Sequence, residues 1–462
     1  MNRIICRYGR LFFLALLLSC GVFSCRKFVD IEPSGPILTG SKVFSSDASA
    51  EAAVLGMYSH MMSPHLSITN GGATLYAGLT ADELSLTGTD AELQAFATNS
   101  ITPVSNVGLS RLWTQNYINI YHANAILEGL GRSPALTPQL SSRLKGEALL
   151  VRALHHFYLA SFFGDIPVVS STDPVVNSSL SRTPVAEVYQ QVIADLREAR
   201  SLLPEAYYTA GRNRPNRWTA AALLARVYLY TQNWQSADEE ASAVIASGLY
   251  HLEPLSKVFL AASNEAIWQL SPVTSGINTA EGNTFIPASA ATKPAYVIAP
   301  SLLQAFDAGD KRKQEWLRAN TIGGQNFYYP FKYKVRTGGT PYAEHNMVLR
   351  LAELYLIRAE ARAHSNNFPG ARSDLDLVRT RAGLPSVNAA SQTSLLAAIE
   401  QERRVELFAE WGHRWFDLIR TQRADAVLGA VKSPWWQPHD KLYPILHEDI
   451  LRNPLLTQNP GY

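Results

Sequence analysis

The residues best suited to chemistry sit together near the C-terminal end, in QERRVELFAEWGHRWFDLIR from Gln401 to Arg420. Glu402, Glu406, Glu410 and Asp417 could supply paired carboxylates, with Arg403 and Arg414 as clamps, the combination a glycoside hydrolase uses. The spacing favours another reading. Glu402, Glu406 and Glu410 are four residues apart with Arg403 and Arg404 beside them, a pattern that lines one helix face with alternating charge and suits a buried ion-pair network joining helices. Among the eleven histidines, His155 and His156 are adjacent; neighbours on a helix point in different directions, so they do not converge on one metal ion. There is no H-E-x-x-H pair, no G-x-S-x-G elbow, no phosphate loop and no Rossmann glycine pattern. The sequence therefore implies no cofactor and no metal. A hydrolase remains the rival reading, and it requires two acids about 5–9.5 Å apart in a cleft, free of arginine.

Binding makes different demands. A sugar needs a flat apolar face to stack on and fixed polar groups to read its hydroxyls. Two stretches could carry these: residues 64–110, with Gly71-Gly72, Gly78, Gly88 and Pro103, and residues 271–299, rich in Ser, Thr, Gly, Ala and Pro. Both read as long loops on a rigid scaffold, where recognition usually sits. The candidate ligand contacts are Tyr76, Asp82, Glu83 and Phe96 in the first stretch, and Asn278, Asn283, Phe285 and Tyr296 in the second. Trp435-Trp436 is a further aromatic pair, read as packing beneath the C-terminal tail beside Tyr443 and Pro444.

The scaffold around these loops reads as helix. Apolar residues recur at helical spacing over 43–62 after Ser45-Ser46-Asp47, over 113–130, over 142–163, and from Thr183-Pro184 to Leu203. An internal repeat follows. LLARVYLY (223–230) precedes Asn233-Trp234-Gln235-Ser236-Ala237, and IRAEARA (357–363) precedes Asn367-Phe368-Pro369-Gly370-Ala371. Each unit is a helix with small residues on one face, a tight turn, and an aromatic opening the partner helix, as in a tetratricopeptide hairpin.

The first 25 residues give an address. Arg3, Arg7 and Arg10 precede the apolar run 11–24, which is shorter than the roughly 20 residues a spanning helix needs and fits a signal-peptide core. The run ends Val22-Phe23-Ser24-Cys25, which resembles the lipobox of bacterial lipoproteins, with Cys25 as the lipid anchor and Cys20 as the competing site. Cys6, Cys20 and Cys25 are the only cysteines. Cleavage before Cys25 would leave no disulfide and no thiol nucleophile. The chain is held by its core, which 462 residues with 47% hydrophobic content can build. Net charge is +2, and loss of the three leader arginines brings it to −1. Without a basic run, neither nucleic acid nor an anionic membrane surface is an evident partner.

Several motifs fall in one order: Phe28-Val29-Asp30-Ile31-Glu32-Pro33, Tyr121-His122-Ala123-Asn124, Phe163-Gly164-Asp165-Ile166-Pro167, Leu349-Arg350-Leu351-Ala352-Glu353-Leu354-Tyr355, Arg379-Thr380-Arg381-Ala382-Gly383, Glu402-Arg403-Arg404, Gly412-His413-Arg414-Trp415-Phe416-Asp417-Leu418, and the tail Asn453 to Tyr462. In this register the chain resembles the SusD/RagB family of lipid-anchored outer-membrane nutrient-binding proteins. Arg26-Lys27 stand where acidic residues often follow the anchor in such surface lipoproteins, and Leu446 after Pro444-Ile445 alters the usual proline pair. The resemblance implies an all-α fold of tetratricopeptide-like hairpins with loop-rich insertions. Its parts would be a leader (1–24), an anchor and linker (25–45), an N-terminal helical region (46–250), a loop-rich ligand side (251–345) and a C-terminal helical region (346–462). It also implies a SusC-like TonB-dependent barrel as partner and a glycan, or in some members a peptide, as ligand, with no covalent chemistry. A purely structural helical adaptor is the third reading, and it requires a large exposed apolar face.

Overall fold

The computed structural model describes residues 40–104 and 106–462; Cys25 and its competitor Cys20 lie outside the described residues. The principal helices are α1 (Asp47–Met62), α2 (Ala73–Thr80), α3 (Ala91–Ala97), α4 (Val107–Leu112), α5 (Thr114–Arg132), α6 (Pro138–Phe163), α7 (Val185–Leu202), α8 (Arg217–Tyr230), α9 (Trp234–Ala246), α10 (Ala280–Phe285), α11 (Leu351–His364), α12 (Phe368–Arg381), α13 (Gln392–Glu406) and α14 (His413–Arg420). None of the described helices is long and apolar enough to cross a membrane.

α6 is the spine. Almost every residue from Arg143 to Phe163 is buried, because α5 and α7 cover two of its sides and α1 and α8 also pack on it. A helix apolar all round needs cover on every side. Its far end joins an aromatic cluster: Phe162 meets Phe416 at 4.8 Å and Tyr443 at 5.0 Å between ring centroids, and Tyr158 meets Trp411 at 5.4 Å. Trp436 is buried at the edge of this cluster, 6.1 Å from Trp415, whereas Trp435 is 57% exposed. The adjacent tryptophans thus divide between core and surface.

From α8 onward the chain stacks hairpins: α8 on α9, α9 on α11, α11 on α12, and α13 against both α11 and α12. The repeat read from the sequence has matching turns. Gln232 and Asn366 take left-handed backbone (φ 57° and 61°), and Asn233 and Asn367 then cap the second helices by accepting from Ser236 N (3.2 Å) and Gly370 N (3.1 Å). Trp234, which opens the second helix of its own hairpin, stacks on His364 of the next, 3.8 Å away with ring planes 6° apart. It therefore ties one repeat to the other. The start of α7 is capped from outside the Thr183-Pro184 signal. Thr183 bridges Ile166 as extended backbone, and the cap comes from Asp165, whose carboxylate accepts from Val185 N at 2.8 Å.

Among the described residues six short strands accompany the mostly helical fold. β1 (Leu84–Leu86) pairs antiparallel with β3 (Tyr296–Ile298), β2 (Ala266–Leu270) with β6 (Asn346–Arg350), and β4 (Leu317–Ile322) with β5 (Gln325–Pro330). The β4–β5 hairpin turns on Gly323-Gly324, both with positive φ (58° and 81°), as a two-residue turn matched to strand twist requires. The β1–β3 pair, in register Leu84↔Ile298 and Leu86↔Tyr296, zips the first loop-rich stretch to the second. The first stretch is itself largely helical, holding α2, α3 and α4. Tyr76 and Phe96 consequently sit on helices inside the core rather than on loops.

Candidate functional site

Where the two stretches meet, a cleft of about 270 Å³ opens between the turn following α1 and the segment leading into α10. One wall is Met62 to Asn70. Its turn is held by Asn70, whose Nδ2 donates to Met62 O at 2.7 Å, and by Leu66 N donating to Asn70 O at 3.1 Å. Gly71 follows with φ +86°, and a Cβ there would lie 2.9 Å from Ala280 Cβ, so only glycine lets this turn approach the start of α10. The other wall is Pro272 to Asn283. Thr279 caps α10 by accepting from Gly282 N at 3.0 Å, and Asn283 Nδ2 donates to Arg336 O at 3.2 Å.

Asn278 lines the cleft at 2% exposure, and its Oδ1 is buried without a hydrogen-bond partner among the described residues. A buried amide oxygen left unpaired costs about 1–3 kcal/mol; such a group is stable only where something else supports it, and it is set to accept a hydrogen bond. Beneath the cleft lies Glu281, fully buried, with Asn346 Nδ2 donating to both oxygens (3.1 and 3.3 Å) and Thr74 Oγ1 to one (3.3 Å). Among the described residues no cation pairs with it, and burial pushes its carboxyl up to about 7.

Beside the cleft the aromatic candidates gather. Phe285 and Tyr296 meet edge to face at 6.0 Å, and Tyr76 and Phe96 at 4.6 Å. Arg111 Nη1 donates to the Tyr76 hydroxyl at 3.2 Å, and after burial its charge is the second influence lowering the imidazole pKa of His65 in the cleft wall. Burial, with Tyr76 and Asp90 nearby, pushes the Tyr296 hydroxyl up to about 12, so it stays a neutral donor. Of the four rings Tyr296 alone is half-buried. The structure thus unites six of the eight ligand-contact candidates: Asn278 and Asn283 in the cleft wall, and Phe285, Tyr296, Tyr76 and Phe96 beside it.

Asp82 is elsewhere, as a structural residue. Its carboxylate is clamped by Arg414 Nε (2.7 Å) and Arg404 Nη2 (2.6 Å), which hold it ionised against burial. Neighbouring Glu83 is fully buried, with its carboxyl pushed up to about 8 by burial and by Asp82. His65, Asn70 and Arg111 were not singled out from sequence. Asn70-Gly71-Gly72 is a turn signal, but nothing local shows which segment the turn faces.

Comparison with known proteins agrees with this architecture. Residues 45–229 match a SusD-like family described as starch-binding and associating with the outer membrane, and residues 303–462 match the SusD family. Two SusD-like proteins of Formosa agariphila are 25% and 28% identical, over 97% of this chain and 98–99% of theirs. The chain belongs to the SusD/RagB family. A SusD superfamily structure from Bacteroides vulgatus superposes with a TM-score of 0.80 at 19% identity, covering 91% of this chain and all of the other. A laminarin-binding SusD-like protein superposes with a TM-score of 0.75 at 25% identity, covering 90% and 99%. SusD-like proteins bind without catalysing a reaction.

The charged motif of this SusD-like chain is scaffold. Glu406 receives Arg350 (2.6 Å), Arg312 (2.9 Å) and Arg381; Glu402 receives Arg312 (2.5 Å) and Arg379 (3.1 Å); Glu410 receives Arg350 (2.7 Å) and Lys332. Asp417 is held by Arg403 and Arg420, each at 2.8 Å. Each acid the hydrolase reading singled out is buried and neutralised. The adjacent histidines diverge as well: His155 Nδ1 pairs with Asn116, and His156 Nε2 accepts from Val169 N at 3.2 Å.

A larger cleft of about 690 Å³ lies by α1, α6 and Tyr208, whose ring carries the Arg143 guanidinium at 3.6 Å. Glu51 and Arg143 in its wall are satisfied by each other and by Glu147 and Arg214. The smaller cleft is the one with an unused polar atom.

Glu281 gives the site a pH signature. Its folded-state proton affinity exceeds the ordinary carboxylate's, so its contribution to stability is greatest below about pH 4.5, falls as pH rises towards 7, and is level above that. Glu281→Gln removes this dependence. The stability of Glu281→Gln relative to wild type is expected to rise by up to about 3 kcal/mol between pH 4.5 and 8. Urea unfolding across that range checks it, and a difference independent of pH would show that Glu281 stays ionised.

Proposed function

We propose that this protein captures a neutral oligosaccharide at the Asn278 cleft and passes it, chemically unchanged, to a SusC-like TonB-dependent barrel, while a lipid on Cys25 holds it at the outer membrane. The observation that carries the ligand assignment is the unpaired, buried Oδ1 of Asn278 in a wall of uncharged polar groups. A sugar hydroxyl supplies the missing donor. The half-buried Tyr296, edge to face with Phe285 of α10, offers a neutral hydroxyl. At about 270 Å³ the cleft takes one unit of a chain, not an internal run. Family membership and the laminarin-binding relative support a glycan. A short neutral peptide is the second reading. It is favoured by a lining of Asn70, Asn278 and Asn283 with Met62, Val273 and Ile277, in which no Phe, Tyr or Trp takes part.

Calorimetric titration of the full chain with laminarin oligosaccharides, other neutral glucans and neutral peptides tests this. Saturable binding with the ligand recovered intact is expected. Asn278→Ala should weaken binding about tenfold, or about 1.4 kcal/mol, without lowering stability, because the amide oxygen it removes has no partner in the fold. Cleaved ligand, or an Asn278→Ala variant that binds like wild type, would overturn the proposal.

A further inference from the structure

His60, in the last turn of α1, and His122, on α5, come from separate parts of the chain and meet with ring centroids 4.7 Å apart and planes tilted by 51°. Both are half-buried, so each keeps an edge open to solvent. His60 is also oriented. Asn119 Oδ1 lies 2.8 Å from its Nδ1; an amide oxygen can only accept, so the proton sits on Nδ1 and the lone pair on Nε2. Asn119 is itself buried, 1% exposed, and lies one helical turn before His122 on the same face of α5. One helix therefore supplies both the group that fixes the first imidazole and the second imidazole beside it. Neither His60 Nε2 nor His122 makes a hydrogen bond within the described residues.

We propose that His60 and His122 form a two-histidine site for a first-row divalent transition-metal ion, with Asn119 as the positioning residue behind His60. The spacing fits. With a metal–nitrogen bond of about 2.0–2.1 Å, each ring centroid stands about 3.2 Å from the ion, so two ligands at 90–110° hold their centroids about 4.5–5.2 Å apart. The observed 4.7 Å lies inside that interval. A buried carbonyl-type partner on the distal ring nitrogen is what metal-bound histidines ordinarily have. Among the described residues no group of three or more His, Cys, Asp or Glu is placed to hold a metal, so the protein supplies two nitrogen ligands and water completes the shell. Neutral imidazole pairs favour Cu²⁺, Ni²⁺ and Zn²⁺ over Mg²⁺ and Ca²⁺, which take oxygen ligands. The site lies outside the lining of the Asn278 cleft and does not depend on its function.

Titration of the full chain, purified without a polyhistidine tag, with ZnCl₂ and NiCl₂ tests the proposal by calorimetry, with MgCl₂ as control. One saturable equivalent is expected for Zn²⁺ and Ni²⁺ and none for Mg²⁺. His60→Ala and His122→Ala should each weaken binding by tenfold or more, and Asn119→Ala by about tenfold although it touches no metal. His251→Ala, at an exposed histidine elsewhere, should bind like wild type. His122→Gln serves as a second variant, since its side chain is half-exposed and its loss should leave the melting curve unchanged. Absence of a saturable equivalent, or an equivalent that survives in the His60→Ala/His122→Ala double variant, would overturn the proposal.

Discussion

Glu406→Ala is expected to destabilise the fold by about 3–5 kcal/mol, the range for breaking a buried ion pair by removing one partner. Three guanidinium groups converge on this carboxylate: Arg312 just before β4, Arg350 at the end of β6, and Arg381 at the end of α12. All four side chains are buried. Burial alone would raise the Glu406 carboxyl, yet Arg381, Arg350 and Arg312 together hold it well below the usual carboxylate range. Its contribution is therefore present above about pH 4.5 and is lost as pH falls through the depressed folded-state value. Alanine leaves five cations, Arg312, Lys332, Arg350, Arg379 and Arg381, facing four buried acids, Glu265, Asp310, Glu402 and Glu410, so positive charge exceeds what remains to balance it. Glu402→Ala should cost less, because burial is the largest influence on that carboxyl and leaves it above its ordinary value, and because Arg312 keeps Asp310 and Glu406. Urea unfolding read as a change in midpoint at constant slope measures both. A Glu406→Ala loss below about 1 kcal/mol, or one no larger than that of Glu402→Ala, would mean the cluster acts as packing alone.

That network shows how far the sequence could be read. Acids four residues apart beside arginines announced a charged helix face, but Arg312 and Arg350, which complete it, lie 94 and 56 residues away from Glu406. Periodicity reports one element at a time and is silent on what faces it. The long helices were legible for that reason: α5 and α6 carry their apolar spacing and stop signals in themselves. The strands were not, since β1 and β3 have three residues each, too few to alternate. The β4–β5 hairpin, with six residues in each strand around Gly323-Gly324, was not singled out from sequence although a Gly-Gly pair is a hairpin signal. In the site, Asn278, Asn283, Phe285 and Tyr296 were readable because an uncharged, aperiodic stretch between helical repeats is a natural place for recognition. Asp82 misled for the opposite reason: an acid in a glycine-rich stretch looks exposed, and only the fold brings Arg404 and Arg414, more than 300 residues on, to bury it. Tyr76 and Phe96 were placed on loops because Gly78 and Gly88 read as breaks. Gly78 lies inside α2, where a Cβ would come 2.7 Å from Leu84 Cδ1. Its glycine serves close packing, and nothing local distinguishes that from a turn.

Gly72→Ala is expected to abolish ligand capture while the remainder of the fold persists. The torsions at Gly72 (φ −66°, ψ −44°) suit any residue, so the constraint is space. A Cβ there would lie 2.2 Å from Leu66 O, 2.6 Å from Ser67 O and 2.8 Å from Ser67 C. All three are backbone atoms of the turn that Gly72 itself closes by donating its N–H to Ser67 O at 2.8 Å. A flexible side chain could move aside; this backbone can yield only by opening the turn. Opening it releases Asn70 from Met62 O and Leu66 from Asn70 O, and with them the cleft wall that faces Asn278. The overpacking cost is about 1–3 kcal/mol, a loss that a core built on α6 can absorb, whereas an affinity that depends on the spacing of two walls cannot. Gly56→Ala is the matched control. Gly56 lies within α1 with nothing within 4 Å of its would-be Cβ, so alanine should raise stability by about 0.5–1 kcal/mol through helix propensity alone. Thermal melts and titration of both variants with the ligand that wild type binds separate fold from site. If Gly72→Ala still binds within about threefold of wild type (about 0.6 kcal/mol), the turn yields without moving the wall, and recognition rests on the α10 side of the cleft alone.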